Sequence, residues 1–265
     1  MDQKSLEDSL AGLPLARISY FDSVGSTNDI VGGWAKKGQK GISLAVADEQ
    51  TSGRGRAGRQ WFTPAGSALA FSLLMPMEHL GDLGKLASTA GLPSLAVCQA
   101  LENAYKLSPQ IKWPNDVLLN GRKLCGVLAE AHWSGDRLQT LIYGIGINIA
   151  PLSVPREEEL NFPATSLEDE LGRPVKRVEL LRSILERLFL LQEKGSSSKF
   201  IRAWQSRLAF KDEAVRIKDD SENITEGIVL GLDREGSLRL KTMSNETKVF
   251  QAGEIQLRPI IDNKV

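Results

Sequence analysis

The 265-residue sequence predicts an α+β protein with a mixed, largely antiparallel sheet and helices, followed by a small β-barrel. Three observations support this prediction. Short apolar runs alternate with stretches of helical spacing up to Leu208. Asn120-Gly121 separates two apolar runs, which is typical of a type I′ hairpin and so of antiparallel pairing. After Leu208 only short strands with turn residues between them remain. We therefore expect two domains, 1–208 and 209–265.

Each element of the first domain follows from its local pattern. Helices are expected at 30–37, where capping side chains precede and Gly38 ends the pattern, and at 94–105 within an alanine- and leucine-rich stretch from 83. Pro93 fits the first turn of this second helix, because proline lacks the N–H that a helix interior needs. Apolar residues at helical spacing predict further helices at 178–192 and 200–208, with a break at 195–198. Apolar or alternating runs predict strands at 17–21, 42–47, 68–75 and 138–149, and we expect the helices on one face of the sheet they form.

The last domain has a different sequence pattern from the first. Alternating residues between turn residues predict four short strands at 214–218, 225–232, 237–242 and 247–251. About 55 residues arranged in this way suit a small barrel.

Composition excludes several classes of protein. Lysine plus arginine and aspartate plus glutamate are 33 each, so no overall charge attracts nucleic acid or a membrane surface. No apolar run approaches the roughly 18 residues that span a bilayer. Cys98 and Cys125 each lie in an apolar stretch, which favours core packing in a reducing cytoplasm over a disulfide. We expect a cytoplasmic protein that binds neither membrane nor nucleic acid.

The most informative segment is Gly53-Arg54-Gly55-Arg56-Ala57-Gly58-Arg59-Gln60-Trp61. Its glycines permit positive φ angles and close approach to a ligand, and its arginines match carboxylate and phosphate oxygens. It fits neither the Walker phosphate loop nor the dinucleotide fingerprint. The segment therefore predicts a loop that holds an anion carrying both a carboxylate and a phosphate. The alternative is a basic loop that is simply exposed to solvent.

A second segment, Lys112-Trp113-Pro114-Asn115-Asp116, combines a strand end with turn residues. It is either a simple turn or a bend that aims polar groups into a cleft. Lys123 and Gly126 follow on the next strand, where the lysine brings a point charge and the glycine lets an anion approach. A surface lysine is the alternative for Lys123.

The strand end 144–148 alternates glycine with branched residues before Asn148, which indicates close approach of a ligand or a bulge. His79 and His132 have no metal-ligand spacing, and we predict no protein-bound metal. No nucleophile elbow or Cys/His/Asp set is present. This favours catalysis by positioning and electrostatics over a covalent enzyme intermediate.

Taken together, these segments resemble the biotin protein ligase family, also called biotin–[acetyl-CoA-carboxylase] ligase. The matching segments run in order across nearly the whole chain: 26–28, 50–61, 112–130, 144–148 and 253–258. The resemblance implies a catalytic domain like that of class II aminoacyl-tRNA synthetases with an SH3-like barrel after it. It also implies that biotin and Mg-ATP form biotinyl-5′-adenylate, which then acylates one lysine of a biotin carboxyl carrier protein.

The resemblance also implies a set of site residues. Lys123, Arg56 and Asp116 are the catalytic candidates, Asp116 by orienting the acceptor lysine. Biotin is expected to contact Ser26, Thr27, Asn28, Gln50, Gly53, Arg54, Gly55, Arg56, Lys123, Gly126 and Gly144. ATP, with Mg²⁺, is expected to contact Arg56, Arg59, Trp61, Asn115, Asn148, Glu254 and Arg258.

The chain departs from the family pattern in two places. About 16 residues precede the first strand, too few for the three-helix DNA-binding unit of repressor relatives, so we expect a ligase without repressor function. Where some relatives place a tryptophan over adenine, this chain has Phe162, Pro163 and Ala164, and we assign no adenine contact.

The alternatives are a lipoate or octanoate ligase, a biotin-binding partner without catalysis, and a nucleic-acid-binding module. Lipoate and octanoate have no ureido ring, so the polar Ser26-Thr27-Asn28 and Gln50 cluster argues against the first of these. The neutral net charge argues against the nucleic-acid module. Exposed edge strands leave a homodimer open.

Overall fold

The computed structural model describes residues 1–77, 91–134, 136–194, 197–218, 223–251 and 256–259. The elements of the first domain are, in chain order, α1 (Gln3–Leu10), β1 (Arg17–Val24), α2 (Thr27–Lys36), β2 (Ser43–Gln50), β3 (Ala68–Pro76), α3 (Gly91–Tyr105), β4 (Gln110–Lys112), β5 (Asp116–Leu119), β6 (Arg122–Ser134), β7 (Arg137–Asn148), α4 (Leu167–Leu171), α5 (Arg177–Lys194) and α6 (Ser197–Gln205). The C-terminal strands are β8 (Ala214–Lys218), β9 (Ile224–Leu232), β10 (Leu238–Thr242), β11 (Thr247–Phe250) and β12 (Gln256–Pro259).

The large sheet has seven strands in the order β1-β2-β3-β7-β6-β5-β4. The pair β1–β2 is parallel, and the other neighbouring pairs are antiparallel. The prediction of a mixed, largely antiparallel sheet is confirmed. At its centre, β6 and β7 form a long hairpin that brings Gly126 opposite Gly146.

Helices cover both faces of this sheet, so the expectation of helices on one face is wrong. On one side Leu73 and Tyr143 belong to the main apolar core, which includes residues of α1, α3 and α5. On the other side Leu74 packs with Val31 and Trp34 of α2. All nine residues of β3 are buried, and a strand that is apolar on both faces needs a cover on each.

Local signals in the sequence predicted two features well. Asn120 (φ 50°) and Gly121 (φ 75°) form the two-residue turn between β5 and β6, as expected for a type I′ hairpin. Pro93 lies in the first turn of α3, which begins at Gly91. The stretch 83–90 of the expected longer helix lies outside the described residues.

Other helices differ from the prediction. Helix α1 was not expected; Asp2 and Ser5 form a reciprocal cap at its start, and Leu6 and Leu10 are buried. Helix α2 begins at Thr27, three residues earlier than predicted, and α6 spans Ser197–Gln205 rather than 200–208. Residues 195 and 196 of the expected break lie outside the described residues.

The C-terminal strands form a five-stranded antiparallel sheet in the order β11-β10-β9-β8-β12. Four of these strands were predicted, and β12 was not. Val215 and Leu240 of this sheet belong to the same apolar cluster as Trp204 of α6. The domain boundary at 208 and 209 stays a prediction.

Cys98 and Cys125 are both free and buried, as expected of core residues. Among the residues that the structure describes, no helix is both long enough and apolar enough to cross a membrane.

Candidate active site

One cleft of about 720 Å³ opens where the ends of β2, β6 and β7 meet the arginine loop and the C-terminal sheet. Every predicted site residue except Glu254, which lies outside the described residues, lines this cleft. These are Ser26, Thr27, Asn28, Gln50, Gly53, Arg54, Gly55, Arg56, Arg59, Trp61, Asn115, Asp116, Lys123, Gly126, Gly144, Asn148 and Arg258. The fold thus brings together residues up to 232 positions apart in sequence.

The arginine loop is a narrow hairpin that extends β2 over the cleft. The Trp61 amide donates to the Gly53 carbonyl at 2.9 Å, and the chain reverses at Ala57 and Gly58, which have φ angles of 53° and 69°. A Cβ on Gly53 would lie 2.4 Å from the Trp61 carbonyl oxygen, so this position requires glycine. The backbone contact between Gly53 and Trp61 therefore fixes the position of the chain just before Arg54.

Arg54 links this hairpin to α2 and β6 by ion pairs. Its guanidinium lies 2.5 Å from Asp29 Oδ1 of α2 and 3.2 Å from Glu130 Oε1 of β6. The hydrogen bond to Asp29 and the charge of Glu130 outweigh desolvation and raise the pKa of Arg54. Because two carboxylates already neutralise it, Arg54 is better suited to hold the loop than to attract a second anion.

Arg56 reaches the Lys-Trp-Pro-Asn-Asp turn. Its Nη1 lies 3.2 Å from Asn115 Oδ1, and Asn115 Nδ2 donates to the Val127 carbonyl at 2.6 Å. The peptide bond between Trp113 and Pro114 is cis. Trp113 is buried, and its indole N–H donates to the Gly236 carbonyl at 3.0 Å, which ties the turn to the C-terminal sheet.

A polar network lies at the other end of the cleft. Gln50 Oε1 accepts from the Thr27 amide at 2.9 Å, and Ser72 Oγ contacts Thr27 Oγ1 at 2.7 Å and Asn28 Oδ1 at 2.5 Å. Asn28 Nδ2 donates to Glu130 Oε2 at 2.5 Å. The side chains of Thr27 and Asn28 are buried, and they present a fixed set of donors and acceptors.

Glycines form the floor of the cleft. A Cβ on Gly144 would lie 2.3 Å from Asn28 Oδ1, and one on Gly146 would lie 2.2 Å from Trp61 Nε1. The Trp61 ring also covers Gly126, where a Cβ would come within 2.9 Å of it. Strands β6 and β7 therefore have glycine where the side chains of Asn28 and Trp61 lie against the sheet.

The strongest electrostatic feature is a buried carboxylate between two lysines. Asp116 Oδ1 lies 2.7 Å from Lys123 Nζ, and Asp116 Oδ2 lies 3.3 Å from Lys112 Nζ. Burial favours the neutral acid, but the two ammonium groups outweigh it and hold the pKa of Asp116 below its usual value. Burial lowers the pKa of Lys112 to about 8, although Asp116 opposes this.

The wall facing Lys123 is the segment around residues 162–165. The Lys123 amide donates to the Pro163 carbonyl at 2.7 Å, and Asn148 Nδ2 donates to the Thr165 carbonyl at 3.1 Å. The Phe162 ring has Lys112 Nζ 4.5 Å from its centroid and the Arg258 guanidinium carbon at 5.7 Å. Burial and then the charge of Arg59 lower the pKa of Arg258.

Sequence reasoning missed four residues of this site: Lys112, Ser72, Glu130 and Phe162. Ser72 could have been found as the one polar residue within an otherwise apolar strand. Lys112 begins the Lys-Trp-Pro-Asn-Asp segment, but nothing in the sequence distinguishes its side chain from a surface lysine. Glu130 gives no local signal, and Phe162 was noted only as one of the residues at the position of the relatives' tryptophan, without a contact assigned to it.

Comparisons with known proteins find matches in both parts of the chain. Residues 20–148 match the family model of the Biotin/lipoate A/B protein ligase family, and residues 212–258 match that of the Biotin protein ligase C terminal domain. The bifunctional ligase/repressor BirA of Bacillus spizizenii is 33% identical, over 88% of this chain and 72% of that protein. The biotin–[acetyl-CoA-carboxylase] ligase of Paracoccus denitrificans is 32% identical, over 82% and 91%.

Solved structures agree as well. The biotin protein ligase from Aquifex aeolicus in complex with biotin and ATP superimposes with a TM-score of 0.77 and 30% identity, covering 93% of this chain and 100% of that one. The α+β fold and its C-terminal antiparallel domain are those of a ligase of this kind. The chain belongs to the biotin protein ligase family.

Proposed function

We propose that the protein activates biotin with ATP to biotinyl-5′-adenylate and transfers the biotinyl group to a specific lysine of a biotin carboxyl carrier protein. It is a biotin–[acetyl-CoA-carboxylase] ligase. The observation that supports this best is that one cleft is lined both by a polar network around Asn28 and Gln50 and by a cluster of cations around Lys123 and Arg56. Biotin has a neutral ureido ring at one end and a carboxylate at the other.

The polar end is proposed to hold the ureido ring. This ring offers both N–H donors and a carbonyl acceptor, and Ser26, Thr27, Asn28 and Gln50 supply complementary groups. The glycine at 144 leaves room for the Asn28 amide against the sheet, so that amide is placed to face the ring. A ring held here directs its carboxylate along the cleft towards Lys123.

The cationic end is proposed to perform adenylation. The biotin carboxylate and the α-phosphate repel one another, and charge increases as the carboxylate oxygen attacks phosphorus. Lys123 and Arg56 are fixed by Asp116 and Asn115, so they stabilise that charge without reorganising. Arg59 is the candidate for the departing pyrophosphate.

The nucleotide is proposed to lie between Asn115, Asn148, Trp61 and Arg258. Arg258 comes from β12, so the C-terminal sheet contributes directly to this end of the cleft. Glu254, also proposed from the resemblance, lies outside the described residues. Mg²⁺ usually binds substrate phosphates with few protein ligands, and we propose that it enters with ATP.

In the second step the acceptor lysine of the carrier attacks the acyl carbon, and AMP leaves. Asp116 is proposed to orient the entering ammonium group. No enzyme nucleophile is required, because the acyl adenylate is already activated.

The remaining proposals concern partners and location. The equal numbers of acidic and basic residues support a protein that does not bind nucleic acid, and the free buried cysteines support a reducing cytoplasm. The sheet ends in β1 and β4 leave a homodimer open, which sedimentation would detect.

A lipoate or octanoate ligase is the alternative enzyme. Incubating the protein with ATP, Mg²⁺ and a biotin carboxyl carrier protein tests the proposal, with biotin, lipoate and octanoate compared. Biotin alone should raise the mass of the carrier by one biotinyl group, and replacing the acceptor lysine by arginine should abolish the change. Biotin binding without modification would favour a binding partner without catalysis.

A further inference from the structure

Lys112 is a buried lysine that the proposed mechanism leaves unused. Its side chain is 6% exposed, yet it lines the cleft beside Asp116. The Phe162 ring covers it on another side, with Nζ 4.5 Å from the ring centroid. A structural lysine gains little from such a position, because burying an ammonium group costs free energy.

Asp116 is a poor base for the transfer step. Two ammonium groups contact its two oxygens, and its pKa lies below the usual value. A carboxylate in that state accepts hydrogen bonds from an ammonium group but does not keep its proton. The acceptor lysine must still lose a proton before it can attack.

Lys112 is better matched to that task. The charged groups that face it are Asp116 from β5, Lys123 from β6 and Arg258 from β12. Burial, Arg258 and Lys123 favour the neutral amine, and Asp116 opposes them; the resulting pKa of about 8 leaves part of Lys112 neutral near pH 7.5. A base works best when its pKa is close to the operating pH.

We propose that Lys112 is the general base of the transfer step and that Asp116 holds the acceptor ammonium beside it. This inference rests on the proposed function. The acceptor ammonium gives one proton to Nζ of neutral Lys112, and its free amine attacks the acyl carbon. The bond from that carbon to the phosphate oxygen breaks, AMP leaves, and the second proton passes to water.

The test separates proton removal from every other effect of the side chain. Wild type and Lys112→Arg are mixed with preformed biotinyl-5′-adenylate and either the carrier or hydroxylamine, and single-turnover rates are measured. Hydroxylamine is already neutral at pH 7.5 and needs no base, whereas arginine keeps the positive charge and cannot accept a proton. Lys176→Arg, at an exposed lysine paired with Glu179, is the matched control.

We expect Lys112→Arg to lower the ratio of carrier rate to hydroxylamine rate by about 100-fold, which is typical of a lost general base. Lys176→Arg should leave the ratio unchanged. An unchanged ratio in Lys112→Arg, including an equal loss of both rates, would overturn the proposal. Failure of wild type to form the adenylate from biotin and ATP would instead reject the proposed function.

A second measurement needs no variant. In wild type the same ratio should rise with pH and level off near pH 8, where Lys112 becomes neutral. If it continues to rise up to the ordinary lysine pKa of about 10.4, the acceptor loses its proton without Lys112, and the proposal is wrong.

Discussion

Replacing Gly144 by alanine tests how closely the cleft floor is fitted to the polar network. The new methyl carbon would lie 2.3 Å from Asn28 Oδ1, whereas ordinary contacts begin near 3.4 Å. The Asn28 amide therefore has to move by about 1 Å. Both of its ends are held, by Ser72 and by Glu130, so the movement breaks or stretches at least one hydrogen bond.

The size of the effect follows from these contacts. Overpacking a rigid site costs about 1–3 kcal/mol, and a lost hydrogen bond about 1 kcal/mol. Because Asn28 belongs to the proposed ureido pocket, we expect biotin affinity to fall by about tenfold or more, equivalent to about 1.4 kcal/mol. The free energy of unfolding should fall by about 1–3 kcal/mol.

Calorimetric titration with biotin and urea denaturation measure the two quantities. Gly33→Ala is the matched control: Gly33 lies in α2, the helix that carries Asn28, and a Cβ there meets no atom within 4 Å. It should leave biotin affinity unchanged and stabilise the helix by about 0.5–1 kcal/mol. If Gly144→Ala binds biotin as wild type does, the assignment of Asn28 to the ureido pocket is wrong.

Three further predictions concern the cations. Lys123→Ala should raise the barrier to adenylation by about 2 kcal/mol or more, because it removes a cation that acts as charge develops; an unchanged rate of biotin-dependent pyrophosphate exchange would remove Lys123 from the site. The pKa of Lys112 is about 8 in the folded protein and 10.5 in the unfolded chain, so the unfolded chain binds more protons between these two pH values. The free energy of unfolding of wild type should therefore increase by up to about 3 kcal/mol relative to that of Lys112→Met as pH rises from 8 to 10.5. Urea denaturation at each pH checks this, and a pH-independent difference between the two proteins would contradict it. Biotin with ATP should slow tryptic cleavage after Arg56 and Arg59, because bound anions order a loop that is rich in glycine; equal cleavage with and without ligands would argue against that ordering.

Much of the fold could be predicted because its signals are local. The Asn120-Gly121 turn, Pro93 at a helix start and the apolar spacing along α5 each depend on a few neighbouring residues. The placement of α2 on the second face could not be predicted in this way. It depends on β3 being covered on both sides, and an apolar run alone does not say what covers it.

The site divides similarly. Glycines and arginines in one loop indicate an anion site because their chemistry is specific. The charge state of that site is a tertiary property: Arg54 is paired with Glu130, 76 positions away, and the buried Lys112 lies against Phe162, which is 50 positions away. From the sequence alone, Arg54 and Lys112 could equally be exposed charged side chains.

ATP–pyrophosphate exchange by the purified protein, with biotin, lipoate and octanoate compared, is the direct test of biotin activation. Adenylation is reversible, so exchange reports the first step without any carrier. We expect exchange that depends on biotin and is absent with the other two acids. Exchange with lipoate or octanoate, or no exchange by folded protein with any of the three, would contradict it.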